Sequence, residues 1–208
     1  MDRLTESLKG VEKRLSDQLE RRDRLLKESR DVISSCSRTI IDVHGGKRAE
    51  AGRELARART LLRSLKKLAD GPVTRYLISP ETEFVEASAV YALAKGGQIP
   101  SREALDASPE AYLLGLLDTV GELKRLILDS IMDSDIKKAK RFFDQMESLY
   151  SACSPLAVYD HVVNGTRRKI DVARMLVEDT RGLLMEEVRR EMVKSSMDRV
   201  YKKLGSVG

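Results

Sequence analysis

Along the first 43 residues apolar side chains recur at steps of three and four. They are Leu4, Leu8, Val11, Leu15 and Leu19, then Leu25, Leu26, Val32, Ile33, Ile40, Ile41 and Val43. That period places them on one side of a helix. Gly10 is the only glycine in the stretch and no proline interrupts it, so the pattern predicts one long amphipathic helix that Gly45-Gly46 ends. A second helix is expected over 47–69, with Leu55, Ala58, Leu62, Leu65 and Leu68 on one face and Asp70-Gly71-Pro72 as its stop. A third begins near Ser79-Pro80-Glu81, with Ser79 as the cap and Pro80 at the first helical position, and runs to Gly96-Gly97. Ser101 to Leu105 suggests a short helical turn, and Ser108-Pro109 opens a fourth long helix. Asp135 is placed to cap the next, which Ser154-Pro155 breaks, and a last long helix runs from about Thr166 to Leu204. No segment alternates with period two. The expected fold is all-α, one domain over 1–208, an antiparallel bundle of six or seven helices with long first and last helices. Those two helices carry more apolar face than one small bundle covers, which favours a homo-oligomer built through helix faces.

Composition agrees with this. The chain has 208 residues, 34% charged and only 4% aromatic, with no tryptophan and five prolines, a profile of long helices rather than of a sandwich or barrel. The net charge of +5 is uneven: residues 47–67 hold eight basic residues and two acidic ones. Arg53 and Arg57 lie one turn apart there, as do Arg59 and Arg63. Such a helix is either a solvated face or a binder of phosphates, and the latter would be salt-sensitive and indifferent to sequence. Cys36 and Cys153 are the only cysteines, too few for a four-cysteine zinc site, and they read as small core residues. His44, at a helix end, reads as a capping residue rather than a base. The N-terminus has no signal-peptide core and no stretch is apolar enough to span a membrane, so the expected location is cytoplasmic.

Two helices carry acids where apolar residues dominate. In ETEFVEA, residues 81–87, Glu83 and Glu86 are three apart, and the eight residues after Glu86 have no charge. In the fourth long helix the only charges between Tyr112 and Leu123 are Asp118 and Glu122, four apart. Each pair therefore occupies one side of its helix. The acidic stripe continues as Arg125 and Asp129, and the opposite one reads Leu116, Val120, Leu123 and Ile127. Four converging carboxylates repel one another unless protonated or bridged by a cation. An oxygen-only set suits Mg²⁺ or Mn²⁺. A di-iron bundle would need Glu-x-x-His motifs, and neither His44 nor His161 has a Glu three residues before it. The bland alternative is a pair of solvated faces. Spacing does not choose between them.

Three stretches, taken in order, resemble the translin superfamily and within it the Trax (translin-associated factor X) branch. They are LLKESRDVISSCSRTIIDVHGG (25–46), ETEFVEA, and AYLLGLLDTVGELKRLILDSI (111–131). The resemblance implies an Mg²⁺-dependent endoribonuclease, with Mn²⁺ as a possible substitute. Its catalytic and metal-holding acids would be Glu83, Glu86, Asp118 and Glu122, and an activated water would hydrolyse the RNA phosphodiester with no covalent nucleophile. Arg38, Arg53, Arg57 and Arg125 become the candidate nucleic-acid contacts. It also implies an octameric barrel enclosing single- or double-stranded RNA, with or without a translin-like second subunit. The chain lacks the basic N-terminal extension of animal Trax proteins, which points to a prokaryotic, self-assembling version. The competing expectation is a non-catalytic oligomer of translin type that binds RNA or single-stranded DNA.

Overall fold

A computed structural model describes residues 2–205, with side chains described as far as 202. Among the described residues there are seven α-helices and no strand: α1 Asp2–His44, α2 Arg48–Leu68, α3 Ile78–Ala94, α4 Arg102–Leu105, α5 Pro109–Met132, α6 Ile136–Cys153 and α7 Thr166–Gly205. Two 3₁₀ segments, Gly71–Leu77 and Ser154–Tyr159, fill breaks that the prolines mark. The all-α expectation holds, including the long first and last helices. The chain divides into two compact units, Met1–Leu116 and Leu117–Gly208, with α5 running through the boundary.

In the first unit α1, α2 and α3 pack on one another in all three pairings. The α1–α2 reversal is made by Gly46, whose φ of 71° suits glycine. Its N–H donates to Val43 O and that of Lys47 to Asp42 O, satisfying carbonyls the helix end leaves open. Leu25, Ser29, Val32, Cys36, Ile40 and Val43 form the buried stripe of α1. The expected stripe named Leu26 and Ile41 instead, and these are 38% and 60% exposed. Small residues took the interior because it is close-packed and their hydroxyls are satisfied locally: Ser29 Oγ donates to Leu25 O and Thr39 Oγ1 to Ser35 O. In α2 the stripe is Ala51, Ala58, Leu62 and Leu65, with Leu55 and Leu68 partly buried against the core.

The third helix differs from its expected start. The segment Gly71–Leu77 runs directly into α3, which begins at Ile78 with no side-chain cap. Ser79 is therefore inside the helix. Pro80 sits in the first turn, where a missing N–H leaves no helical bond unmade. α3 buries Phe84, Val85, Ala87, Ser88, Ala89 and Val90 around most of its circumference. The start of α5 lies against it at Gly115. A Cβ there would meet Thr82 O at 2.6 Å and Val85 Cβ at 2.8 Å, so no other residue fits without moving the backbone. The N-terminal signals of α4, α5 and α6 are as expected: Ser101, Ser108 and Asp135 accept from Ala104 N, Ala111 N and Lys138 N.

In the second unit the buried residues of α5 include Val120, Leu123 and Ile127, the stripe expected opposite the acids. α6 contributes Ala139, Phe142, Phe143, Met146 and Leu149 and packs on α7. α7 buries Thr166, Ile170, Ala173, Val177, Thr180 and Leu184, an alternation of four and three that keeps one seam inward. None of the described helices is long and apolar enough to cross a membrane.

Candidate functional site

The three glutamates of ETEFVEA have different surroundings, although they are alike in sequence. Glu81 is buried, and its partners all lie in the first unit. Lys66 Nζ is 2.9 Å from its Oε1, and Ser108 donates to Oε2 from both N (2.9 Å) and Oγ (2.6 Å). Lys66 also donates to Asp106 O and reaches Asp106 Oδ2 at 3.2 Å. Glu81 therefore ties α2, α3 and the start of α5 together, and it is spent on structure. Sequence reasoning passed over it. The signal was that the residues three and four positions to either side, Leu77, Ile78, Phe84 and Val85, are all apolar, which makes a carboxylate costly unless the fold brings it a partner.

Glu83 and Glu86 are half-buried, the two least enclosed positions between Pro80 and Val90. They share a side of α3, and α1 passes them at Cys36. The thiol of Cys36 is pushed up from 9.0 to about 12, first by burial and then by the negative charges of Glu83 and Glu86. A fully buried neutral thiol beside two carboxylates is a wall, with no nucleophilic role. Cys153, in the second unit, is raised to about 11 by burial alone. Both cysteines are free, as expected of core residues.

The sign of the Cys36 shift gives a prediction. The unfolded thiol ionises near 9.0 and the folded one near 12. The stability it contributes is complete below the lower value and is lost as pH rises from about 9 towards 12. Urea midpoints measured across this window fall more steeply for wild type than for Cys36→Ala. Parallel curves for the two proteins would remove Cys36 from the account.

In the second unit Asp118 is half-buried and forms an ion pair with Lys169 of α7. The two side chains are 29% and 28% exposed. Glu122, one turn on, is also half-buried. Lys169 was not anticipated. It stands beside Ile170 at the edge of the α7 seam, where a lysine reads as ordinary flank. Among the described residues no three His, Cys, Asp or Glu side chains are grouped as metal ligands.

The basic candidates are dispersed in role. Arg38 donates to Ser34 O and Oγ and lies 3.7 Å from Glu54 Oε2. Arg53 pairs with Glu50 at 3.2 Å. Arg57 and Arg125 are exposed. In α2, Arg59 lies 5.6 Å over the Phe84 ring and Lys66 serves Glu81, so two of the eight basic residues of 47–67 are committed to the core.

The model of the Translin family matches residues 74–180, about half of the chain. The chain belongs to the Translin family. All four candidate acids and Lys169 fall inside the matched segment, and the basic helix α2 falls outside it. A relative from Methanocaldococcus jannaschii, an uncharacterised protein, is 32% identical over 182 residues, covering 86% of this chain and 82% of its own. Among solved structures, AfC3PO is similar with a TM-score of 0.82 and 30% identity, over 89% of this chain and 99% of that one. The AfC3PO complex with duplex RNA gives 0.79 and 27%, over 89% and 98%. Apo-NeC3PO gives 0.74 at 22% identity, over 86% and 96%, a likeness of fold. The fold of this chain is thus shared with these solved structures.

Proposed function

We propose that this Translin-family protein is a Trax-like, Mg²⁺-dependent endoribonuclease. The observation that carries the reading is the placement of acids: Glu83 and Glu86 are half-buried among the buried residues of α3 between Pro80 and Val90, and Asp118 and Glu122 are half-buried on α5. The donor set is carboxylate oxygen only, which fits a hard cation. Bound by these residues, Mg²⁺ would neutralise charge on the phosphodiester and make a water more acidic. The protein's own contribution is to carry the carboxylates on two helices, α3 and α5. Cys36 of α1, fully buried, lies beside Glu83 and Glu86.

RNA as the ligand is supported by the duplex RNA bound to AfC3PO. Exposed Arg57 and Arg63 on α2, with Arg125 on α5, supply phosphate contacts, and Arg38 and Arg53 can exchange their glutamate partners for phosphate. A homo-oligomer is supported by the stripe Leu4, Leu8, Val11, Leu15 and Leu19, each more than half exposed along one side of α1. The observation favouring the second reading, a binding protein without catalysis, is the engagement of Asp118 by Lys169.

The test is one preparation assayed three ways. Sedimentation equilibrium should give a mass several times the 23.4 kDa of one chain. Binding to single-stranded and duplex RNA should weaken steadily with salt. Products should accumulate in Mg²⁺ and cease in EDTA. Tight, salt-sensitive binding with no products in Mg²⁺ or Mn²⁺ establishes the second reading instead.

A further inference from the structure

Cations lie over aromatic rings at several places. Arg59 covers Phe84, Arg141 covers Phe142, Arg181 covers Phe143 and Lys95 covers Tyr91. Tyr76, in the 3₁₀ segment that precedes α3, is alone among the described residues in taking two. Arg22 of α1 lies 5.7 Å from its ring centre and Arg75 lies 5.0 Å away. Arg75 also donates to the Tyr76 hydroxyl at 3.0 Å. All three residues belong to the first unit. Two guanidiniums drawn to one neutral residue repel each other, and an uncharged phenol oxygen offsets little of that. The hydroxyl responds to the field around it: hydrogen bonds from Arg75 and then from Arg22 hold its pKa below the usual tyrosine value. Negative charge is therefore favoured at that point. Solvent reaches it, because Arg75 is exposed, Tyr76 is half-buried and the Arg22 side chain is 43% exposed. Arg22 also pairs at 2.9 Å with Asp23, its neighbour in the chain, whose side chain is 61% exposed, a loose surface contact.

We propose that Arg22, Arg75 and Tyr76 form a binding site for a phosphate monoester, the group that ends an RNA strand. A guanidinium presents paired N–H donors that match phosphate oxygens, and such charge-assisted bonds are roughly twice as strong as neutral ones. Near neutral pH a monoester carries a charge of about −1.5 to −2 and three acceptor oxygens. It therefore matches two guanidiniums and leaves an oxygen for the Tyr76 hydroxyl, which turns from acceptor to donor. An internal phosphodiester has a single charge and balances one arginine. The strand end as the source of the monoester rests on the RNA binding proposed above; the phosphate site itself does not.

RNAs of one sequence are prepared with hydroxyl ends, with a 5′-phosphate and with a 3′-phosphate. Their affinities are measured in EDTA, and inorganic phosphate is titrated calorimetrically in parallel. A phosphate at one end should raise wild-type affinity about tenfold over the hydroxyl-ended RNA, the size of a charge-assisted hydrogen bond. Arg22→Gln and Arg75→Gln should each abolish that gain and the binding of inorganic phosphate. Tyr76→Phe keeps the ring and should reduce the gain about threefold, one neutral donor lost. Thermal melts identify any variant that fails to fold. The ratio between RNAs is the readout, because a general loss of positive charge weakens all three alike. A gain that survives in both arginine variants overturns the site, as does equal affinity for all three RNAs with no inorganic phosphate bound. Equal affinity, with inorganic phosphate bound by wild type and lost in both arginine variants, overturns the strand end and leaves a free phosphate as the ligand. Inorganic phosphate bound by a wild type that binds no RNA overturns the RNA reading and leaves the site standing.

Discussion

Glu86→Ala and Asp118→Ala each lose RNA cleavage by about 100-fold or more in Mg²⁺, while binding to the same RNA in Ca²⁺ falls far less. The size follows from the metal-holding role proposed for the carboxylates. A divalent ion at a phosphodiester stabilises the transition state by several kcal/mol, and each 1.4 kcal/mol is about tenfold in rate. Removing one anionic ligand from either helix forfeits most of that. Glu83→Ala and Glu122→Ala should behave alike. The four single variants are expected to be far from additive, because carboxylates serving one ion act as a unit. The measurement is initial cleavage rate over a range of Mg²⁺ concentration, together with RNA affinity. Any of the four variants cutting at the wild-type rate would remove that residue from the site. Unimpaired cutting by both Glu86→Ala and Asp118→Ala would refute the assignment as a whole.

The second large effect concerns Glu81, the glutamate that shares the motif without sharing the role. Glu81→Ala leaves Lys66 enclosed with its side chain only 19% exposed and strips Ser108 of the acceptor for both its N and Oγ. Breaking a buried pair from one side costs about 3 to 5 kcal/mol, because the remaining charge stays desolvated. That is a large part of the stability of a chain this size. The urea midpoint of Glu81→Ala should therefore fall well below that of Glu83→Ala, although the two sites are two residues apart. The double variant Glu81→Leu with Lys66→Met should recover much of the loss, since it removes both charges and keeps apolar volume. Equal stability for Glu81→Ala and Glu83→Ala would show that the Lys66–Glu81–Ser108 cluster holds nothing together.

These two predictions separate residues that the sequence presents as equals. ETEFVEA offers three glutamates within six positions, and spacing pairs Glu83 with Glu86 because helix geometry is local. That Glu81 faces Lys66 and Ser108 depends on where α2 and the start of α5 pass. The same holds in α1, where hydrophobicity favours Ile41 but packing chose Ser29, Cys36 and Thr39. A close-packed interior selects for volume and local hydrogen bonding as well as for apolar character.

The sequence by itself determined the all-α class, most of the helix ends, the starts at Ser101 and Ser108, the cap Asp135, and the candidate acids. All of these follow from interactions reaching no further than one or two helical turns, which residue order encodes directly. Only the tertiary structure decided which glutamate is structural, that Cys36 lies beside Glu83 and Glu86, and that Asp118 is held by Lys169. Residues 118 and 169 are paired although 51 positions separate them along the chain. Such a pairing depends on how buried stripes from distant segments fit, so no local period announces it.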